Sequence, residues 1–298
     1  MHRERLTEDI FVFTSSRYVD VTATVIFTRR GVVVFDTLPF PGETRQMRAF
    51  IEQAQAGPVR YLIFSHSHAD HVYGAYLFPE AEIIGHRKCY ELLERYGRQG
   101  LEEARRAEPE LAEVTLRFPG LWVEEEITLR MDSKTITLFH SPGHTPDLIA
   151  AYIHEDRTLL ASDTMMPIPY VVDGDPERFI QSLQVLKKYQ IENLVQGHGE
   201  ILLRGEITEH INRNITYLRQ IQRLVKEAVQ RGDPLEKLLQ LPLEAFGISR
   251  IALGGLTVQL HHANLQALYQ RELARIETVQ SDTPSTRSGR KAVKSKVK

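Results

Sequence analysis

Short apolar runs closed by polar turns dominate the N-terminal two thirds of the chain. IFVFT (10–14) and VTATVIFT (21–28) are β-branched and aromatic and predict strands. GVVVFDT (31–37) is a continuous apolar run ending in an acid, the pattern of a strand buried on both faces, and the Pro-Gly pair after it breaks the chain. ETRQMRAFIEQAQAG (43–57) changes to helical spacing with a glycine stop. VRYLIFS (59–65) predicts a further buried strand, HVYGAYLF (71–78) a helix start and AEIIG (81–85) a short strand. The segment 86–120 is charged and helix-prone, and is expected to be a helical insertion over part of a sheet edge. The β pattern returns in ITLRM (127–131), TITLFH (135–140), LIAAYIH (148–154) and TLLASD (158–163), with HEDR as a hairpin connection. PERFIQSLQVLKKYQ (176–190) predicts an amphipathic helix, and ENLVQGHG (192–199) a short strand and turn.

From 206 the character changes. EITEHINRNITYLRQIQRLVKEAVQRG places apolar residues three and four apart and stops at Gly232. LEKLLQL and LTVQLHHANLQALYQRELARIE continue the helical pattern. The expected organisation is therefore a mixed α/β region over 1–205, a helical C-terminal region over 206–280, and a basic Ser/Thr/Lys-rich tail over 281–298 that has no apolar periodicity and should be disordered.

Composition narrows the function classes. With 298 residues, 42% of them hydrophobic, the chain can bury a sizeable core. A formal net charge of -2 argues against nucleic acid as a partner. The single cysteine, Cys89, lies far in sequence from any motif and rules out an internal disulfide framework. The N-terminus lacks the pattern of a signal peptide, and no segment reaches the roughly 20 apolar residues that span a bilayer. A cytoplasmic protein acting on a small molecule is expected, with no membrane partner. The oligomeric state is not readable from the chain; a homodimer through the helical region is consistent with base rates for symmetric oligomers.

The candidate chemistry lies at strand ends. HSHADH (66–71) follows directly on VRYLIFS. Residues two apart in an extended turn project to one side, so His66 and His68 can share a metal, while Asp70 and His71, at the start of a helix, can address an adjacent one. Such side chains after a buried strand would be costly without a ligand. SPGHTPD (141–147), TLLASD (158–163) and LVQGHGE (194–200) each place one further ligand-type residue after a strand: His144, Asp163 and His198. Imidazole and carboxylate together suit zinc, and also iron or manganese.

The order of these motifs resembles the metallo-β-lactamase superfamily, over about residues 10–205: HSHADH resembles the HxHxDH signature, Gly74 matches a glycine three residues on, and His144, Asp163 and His198 match the later motifs. The resemblance implies a four-layer αββα sandwich, here with a helical C-terminal region, and two metal ions on loops at one edge. It places His66, His68 and His144 on the first ion, Asp70, His71 and His198 on the second, and Asp163 between them. Asp36 resembles the family's early acid, which hydrogen-bonds a ligand. The implied activity is hydrolysis, with a metal-bridging hydroxide attacking a carbonyl and Asp70 in a second role as proton acceptor. A bridging aspartate and the absence of a suitably placed cysteine speak against β-lactam hydrolysis. The ligand set is closer to the glyoxalase II-like and lactonase-like enzymes, and predicts cleavage of an ester, thioester or lactone, with zinc as the first expectation. A single-iron persulfide dioxygenase and a phosphodiesterase of the same fold remain as alternatives.

Other residues are weighed against blander roles. Tyr170, in MMPIPYVVDGD, is expected to pass over the metals and donate to a developing oxyanion, with a packed loop aromatic as the alternative; Tyr73 is a second candidate of that kind. His261 and His262 are adjacent on a predicted helix and expected to pack. Trp122, with Phe118 and Leu121, is expected in an apolar loop against the core. The Gly254–Gly255 pair lacks the Lys-Ser/Thr sequel of a phosphate loop and reads as a helix start. Substrate selection is expected to fall to 86–126, 164–175 and the C-terminal helices.

Overall fold

A computed structural model describes residues 1–281, so positions 282–298 of the expected tail lie outside the described residues. Two sheets stack face to face. The first has seven strands in sequence order: β1 (His2–Arg5), β2 (Ile10–Thr14), β3 (Thr22–Thr28), β4 (Gly31–Phe35), β5 (Val59–Ile63), β6 (Glu82–His86) and β7 (Leu121–Val123). Pairing is antiparallel from β1 to β4 and parallel from β4 to β7. The second has six, in the order β13-β12-β11-β10-β9-β8: β8 (Glu126–Arg130), β9 (Thr135–His140), β10 (Ile149–Ile153), β11 (Thr158–Ser162), β12 (Asn193–Gln196) and β13 (Leu202–Leu203). Within it only β11 and β12 run parallel.

The inward faces supply the core between the sheets, where Val33, Phe35, Ile63 and Ile84 meet Ile136, Leu138, Ile149 and Leu160. Strands β4, β10 and β11 are buried at every position, which is why they read as unbroken apolar runs. Helices cover both outer faces. α1 (Pro41–Gln53), α2 (Ala69–Val72), α3 (Arg87–Leu92) and α4 (Arg98–Ala107) lie on the first sheet's side, where Met47, Ile51, Leu93 and Leu101 pack with Val34, Leu62 and Phe64. Pro41 and Gly42 do not break the chain: they form the first turn of α1, where a missing N–H costs nothing.

α5 (Pro176–Leu186) and α6 (Arg204–Arg231) cover the second sheet, and α7 (Leu235–Leu239) and α8 (Thr257–Ser281) pack against α6. Ile207, Ile211, Ile215, Leu218 and Val225 form one stripe of α6 and share a core with Ala150, Leu159, Phe179 and Leu183. Gly232 ends α6 in the left-handed region, its N–H closing on Ala228 and Val229. The architecture is thus αββα with a helical C-terminal region. α8 continues to Ser281, one residue into the segment expected as tail. Among the described residues no helix is long and apolar enough to cross a membrane.

Two expectations are corrected. Trp122 is 52% exposed and Leu121 43%, because β7 is the last strand of its sheet and has no neighbour on one side; they do not form a loop on the core. Cys89, far from the motifs in sequence, is buried beside Asp147 of SPGHTPD; burial first and that carboxylate next push its thiol well above the usual range, so it stays protonated and inert.

Candidate metal centre

The C-terminal ends of the parallel strands open on one edge of the sandwich, the usual place for a site in such sheets. β4 delivers Asp36, β5 delivers the 66–71 turn, β11 delivers Asp163 and β12 delivers His198, while the connection from β9 to β10 carries His144. At this edge the two sheets are stitched together. Val21 forms an isolated antiparallel bridge with His198, Thr22 N–H donates to Gly197 O at 2.9 Å, and Ile149 N–H donates to Ser65 O at 2.8 Å.

All seven sequence-derived ligand candidates converge. His66, His68, His144 and Asp163 form one group, and Asp70, His71 and His198 a second. Asp163 faces both: its Oδ2 is 3.2 Å from His144 Nε2, and its Oδ1 is 3.4 Å from His71 Nε2. Asp70 Oδ2 lies 3.3 Å from His198 Nε2 and 3.6 Å from His71 Nε2. His68 presents Nδ1, 3.0 Å from His144 Nε2.

The other ring nitrogens are held from behind. His144 Nδ1 donates to Tyr170 O at 2.8 Å and His198 Nδ1 to Val19 O at 2.9 Å; each ring is thereby oriented with Nε2 facing inward. His71 Nδ1 donates to Asp36 Oδ2 at 2.9 Å, and His66 Nδ1 lies 2.9 Å from Ser65 Oγ. Asp36 Oδ1 accepts the Ser65 N–H at 2.7 Å, and Ser162 Oγ donates to Ser65 Oγ at 2.8 Å. Asp36 and Ser162 both occupy the left-handed region (φ 61° and 44°), a conformation that costs about 1–3 kcal/mol and persists where surrounding bonds enforce it. Gly197 has a different reason to be glycine: a Cβ there would stand 1.8 Å from Asp163 Oδ1.

This shell fits divalent cations. His66 Nε2, His71 Nε2 and Asp163 Oδ1 are buried with no hydrogen-bond partner, an arrangement that costs free energy until something binds them. Burial holds His66 and His144 below the usual histidine range, His144 at about 4, so both are neutral donors. Burial opposes the charges of Asp70 and Asp163, and the surrounding imidazoles outweigh it and hold both carboxyls ionised.

Tyr170 is half-buried with its ring 6.0 Å from that of His144. Tyr73 is buried and lines a cavity beside His68. His261 packs in the helical region as expected, bonded to Tyr217. Sequence reasoning missed four contributors. Tyr18 feels the charge of Asp70 first, then its own burial and Asp163, and is pushed up to about 12. Asp147 Oδ2 accepts the Ser67 N–H at 2.8 Å and fixes the 66–71 turn; its place inside SPGHTPD was the available signal. Asp173 Oδ2 lies 3.9 Å from His68 Nε2. Asn264 of α8 grips the 164–175 loop, donating to Pro169 O at 2.7 Å and accepting the Val171 N–H at 2.9 Å. The C-terminal helices thus act on the site through this loop, and none of them lines the His68 cavity, contrary to expectation.

Comparison with known proteins agrees with this geometry. Residues 17–198 match the family model of the metallo-β-lactamase superfamily. A β-lactamase-like protein 2 homolog from Caenorhabditis elegans is 25% identical over 173 residues, covering 57% of this chain and 52% of that protein. A metallo-β-lactamase type 2 from Bacillus cereus is 27% identical over 214 residues, covering 67% of this chain and 77% of that one. Among solved structures, the stereoselective inverting sec-alkylsulfatase Pisa1 from Pseudomonas sp. superposes with a TM-score of 0.73 at 17% identity, over 95% of this chain and 52% of that one, a likeness of fold alone. The chain therefore spans 52% of the nematode protein and 52% of the sulfatase.

Proposed function

The chain belongs to the metallo-β-lactamase superfamily, and on that premise we propose that it is a binuclear zinc hydrolase cleaving an ester, thioester or lactone. One observation carries the reading: the Asp163 carboxylate lies 3.2 Å from His144 Nε2 of one ligand group and 3.4 Å from His71 Nε2 of the adjacent one. His66, His68 and His144 would hold one ion and Asp70, His71 and His198 the other, with Asp163 shared. When bound, the ions supply Lewis-acid polarisation of the substrate oxygen and a water activated near neutral pH.

The chain's own groups do the rest. Water adds to the carbonyl carbon, the bond to the leaving oxygen or sulfur breaks, and the products are an acid and an alcohol or thiol. Asp70, ionised at the mouth between His71 and His198, accepts the proton released by the water and passes it to the leaving group. Tyr170 is held beside His144, and burial raises its phenol above the usual range, so it keeps its proton at neutral pH and can donate to the developing oxyanion. Tyr18 keeps its proton for the reasons given above.

The test is elemental analysis of protein purified without added metal, followed by a panel of lactones, thioesters and esters. About two zinc per chain, with turnover abolished by chelation and restored by zinc, is the expected outcome. One iron per chain with oxygen uptake on a persulfide would replace this reading by the dioxygenase. Preference for a phosphodiester would replace it by the phosphodiesterase.

A further inference from the structure

Beside His68 lies a cavity of ≈ 520 Å³. Ala69 and Tyr73, from the turn after β5, form one side of it. Leu92, Leu93 and Tyr96, from the helical excursion after β6, form another, and Pro146 and Asp173 close the third. Leucine, tyrosine, alanine and proline side chains make up most of the wall, with Ser67, His68, Thr145 and Asp173 as its polar members. Among the described residues no lysine or arginine lines it, and the carboxylate present is Asp173, 3.9 Å from His68. An adjoining groove shares Asp173 and adds Asp175 and Arg178, so carboxylates outnumber guanidinium there as well.

Substrates with a sulfate, phosphate or carboxylate on the arm that enters would meet Asp173, and no lysine or arginine among the described residues lines the wall to pair with them.

We propose that this cavity takes an uncharged, apolar chain of the substrate, with Leu92, Tyr96 and the open space at Gly100 setting its length and Asp173 turning away anionic chains. The inference rests on the hydrolase reading above and narrows it to neutral carboxylic esters and thioesters with an aliphatic or aromatic acyl arm. Gly100 provides a handle: it is an exposed residue on the rim of the cavity, and a Cβ built there meets nothing within 4 Å, so a larger side chain can be placed at that rim without a clash.

The experiment is a kinetic series of methyl esters of straight-chain acids, from acetate to decanoate, on the metal-loaded protein. Each methylene seated in the cavity should raise kcat/KM about three- to fourfold, the equivalent of burying one CH₂, until the cavity is full. Monomethyl adipate should be at least ten times poorer than methyl hexanoate, and Asp173→Asn should narrow that gap. Gly100→Leu should lower the ratio of decanoate to acetate turnover by ten or more. A flat dependence on chain length with the acetate ester still turned over, or a preference for the adipate, overturns the inference and leaves the hydrolase reading standing. If no ester, thioester or lactone is turned over by protein carrying its metals, the hydrolase reading falls. Calorimetric titration with 1-decanol then decides the cavity separately. Binding with a negative heat-capacity change that weakens in Gly100→Leu supports the apolar-chain assignment, and its absence overturns it.

Discussion

Asp36 donates nothing to the site directly, yet its Oδ2 accepts the Nδ1 proton of His71 at 2.9 Å while its Oδ1 holds the Ser65 amide at 2.7 Å. One carboxylate thus orients a ligand from the 66–71 turn and pins the strand end from which the turn departs. Asp36→Asn keeps the volume and loses the charge-assisted bond. The expected outcome is a protein that folds but holds metal about 10–100-fold more weakly, read by competition with a chelator; unchanged affinity would show that His71 needs no such support.

Gly197 is the point of least tolerance. Because a Cβ there would meet Asp163 Oδ1 at 1.8 Å and Asp163 N at 2.7 Å, Gly197→Ala should displace the shared carboxylate. Metal per chain should fall at both positions, whereas Gly100→Ala, in open space, should keep its metal. Equal metal content in the two variants would mean that Asp163 is not the shared ligand.

Asp70 separates ligation from proton transfer. Asp70→Asn leaves an oxygen donor beside His198 and removes the basic one. Loss of kcat should exceed loss of metal affinity by about 10²-fold or more, the usual worth of a general base. Parallel loss of both would assign Asp70 to metal binding alone.

Asn264 joins the helical region to the site loop. Its side chain bonds Pro169 O, Val171 N–H and the Tyr217 hydroxyl, and Arg271 adds bonds to the carbonyls of Val171, Val172 and Gly174. Asn264→Ala should destabilise the protein by about 1–3 kcal/mol in a urea titration, since buried partners lose their bonds. Hydrogen exchange at the Val171 amide should accelerate; undiminished protection would show that the loop is held elsewhere.

His261 gives the helical region a pH dependence. It is 1% exposed, accepts a hydrogen bond from the Tyr217 hydroxyl at Nδ1, and burial lowers its pKa from 6.5 to about 4. Unfolded chains bind this proton near pH 6.5 and the folded protein resists it, so stability is full above 6.5 and falls as the pH drops towards 4. The thermal midpoint of His261→Gln should fall less between pH 6.5 and 5 than that of the parent protein. Matching slopes would place the acid sensitivity on other histidines.

What could be read from the chain beforehand was local. The runs around β4, β5, β10 and β11 are buried at nearly every position, so hydrophobicity alone marked them, and the ligand-type residues stood at their ends. β1 escaped notice because all of its residues are exposed; register with β2 makes it a strand, and no apolar pattern records that. Tyr18, Asp173 and Asn264 were silent for a related reason. Each matters through a neighbour distant in sequence, and neither periodicity nor motif spacing encodes such a meeting. Cys89 beside Asp147 is the same lesson in reverse, since distance along the chain implied a separation that the fold removes.

The stitched edge between the sheets has a mechanical meaning. His66, His68, Asp70 and His71 leave the first sheet, whereas His144, Asp163 and His198 leave the second, so ions seated among them would rivet one half of the sandwich to the other. Prying the halves apart and surrendering the ions would then be a single event. Starving this protein of metal would then loosen the join between its two sheets as well as idle its chemistry.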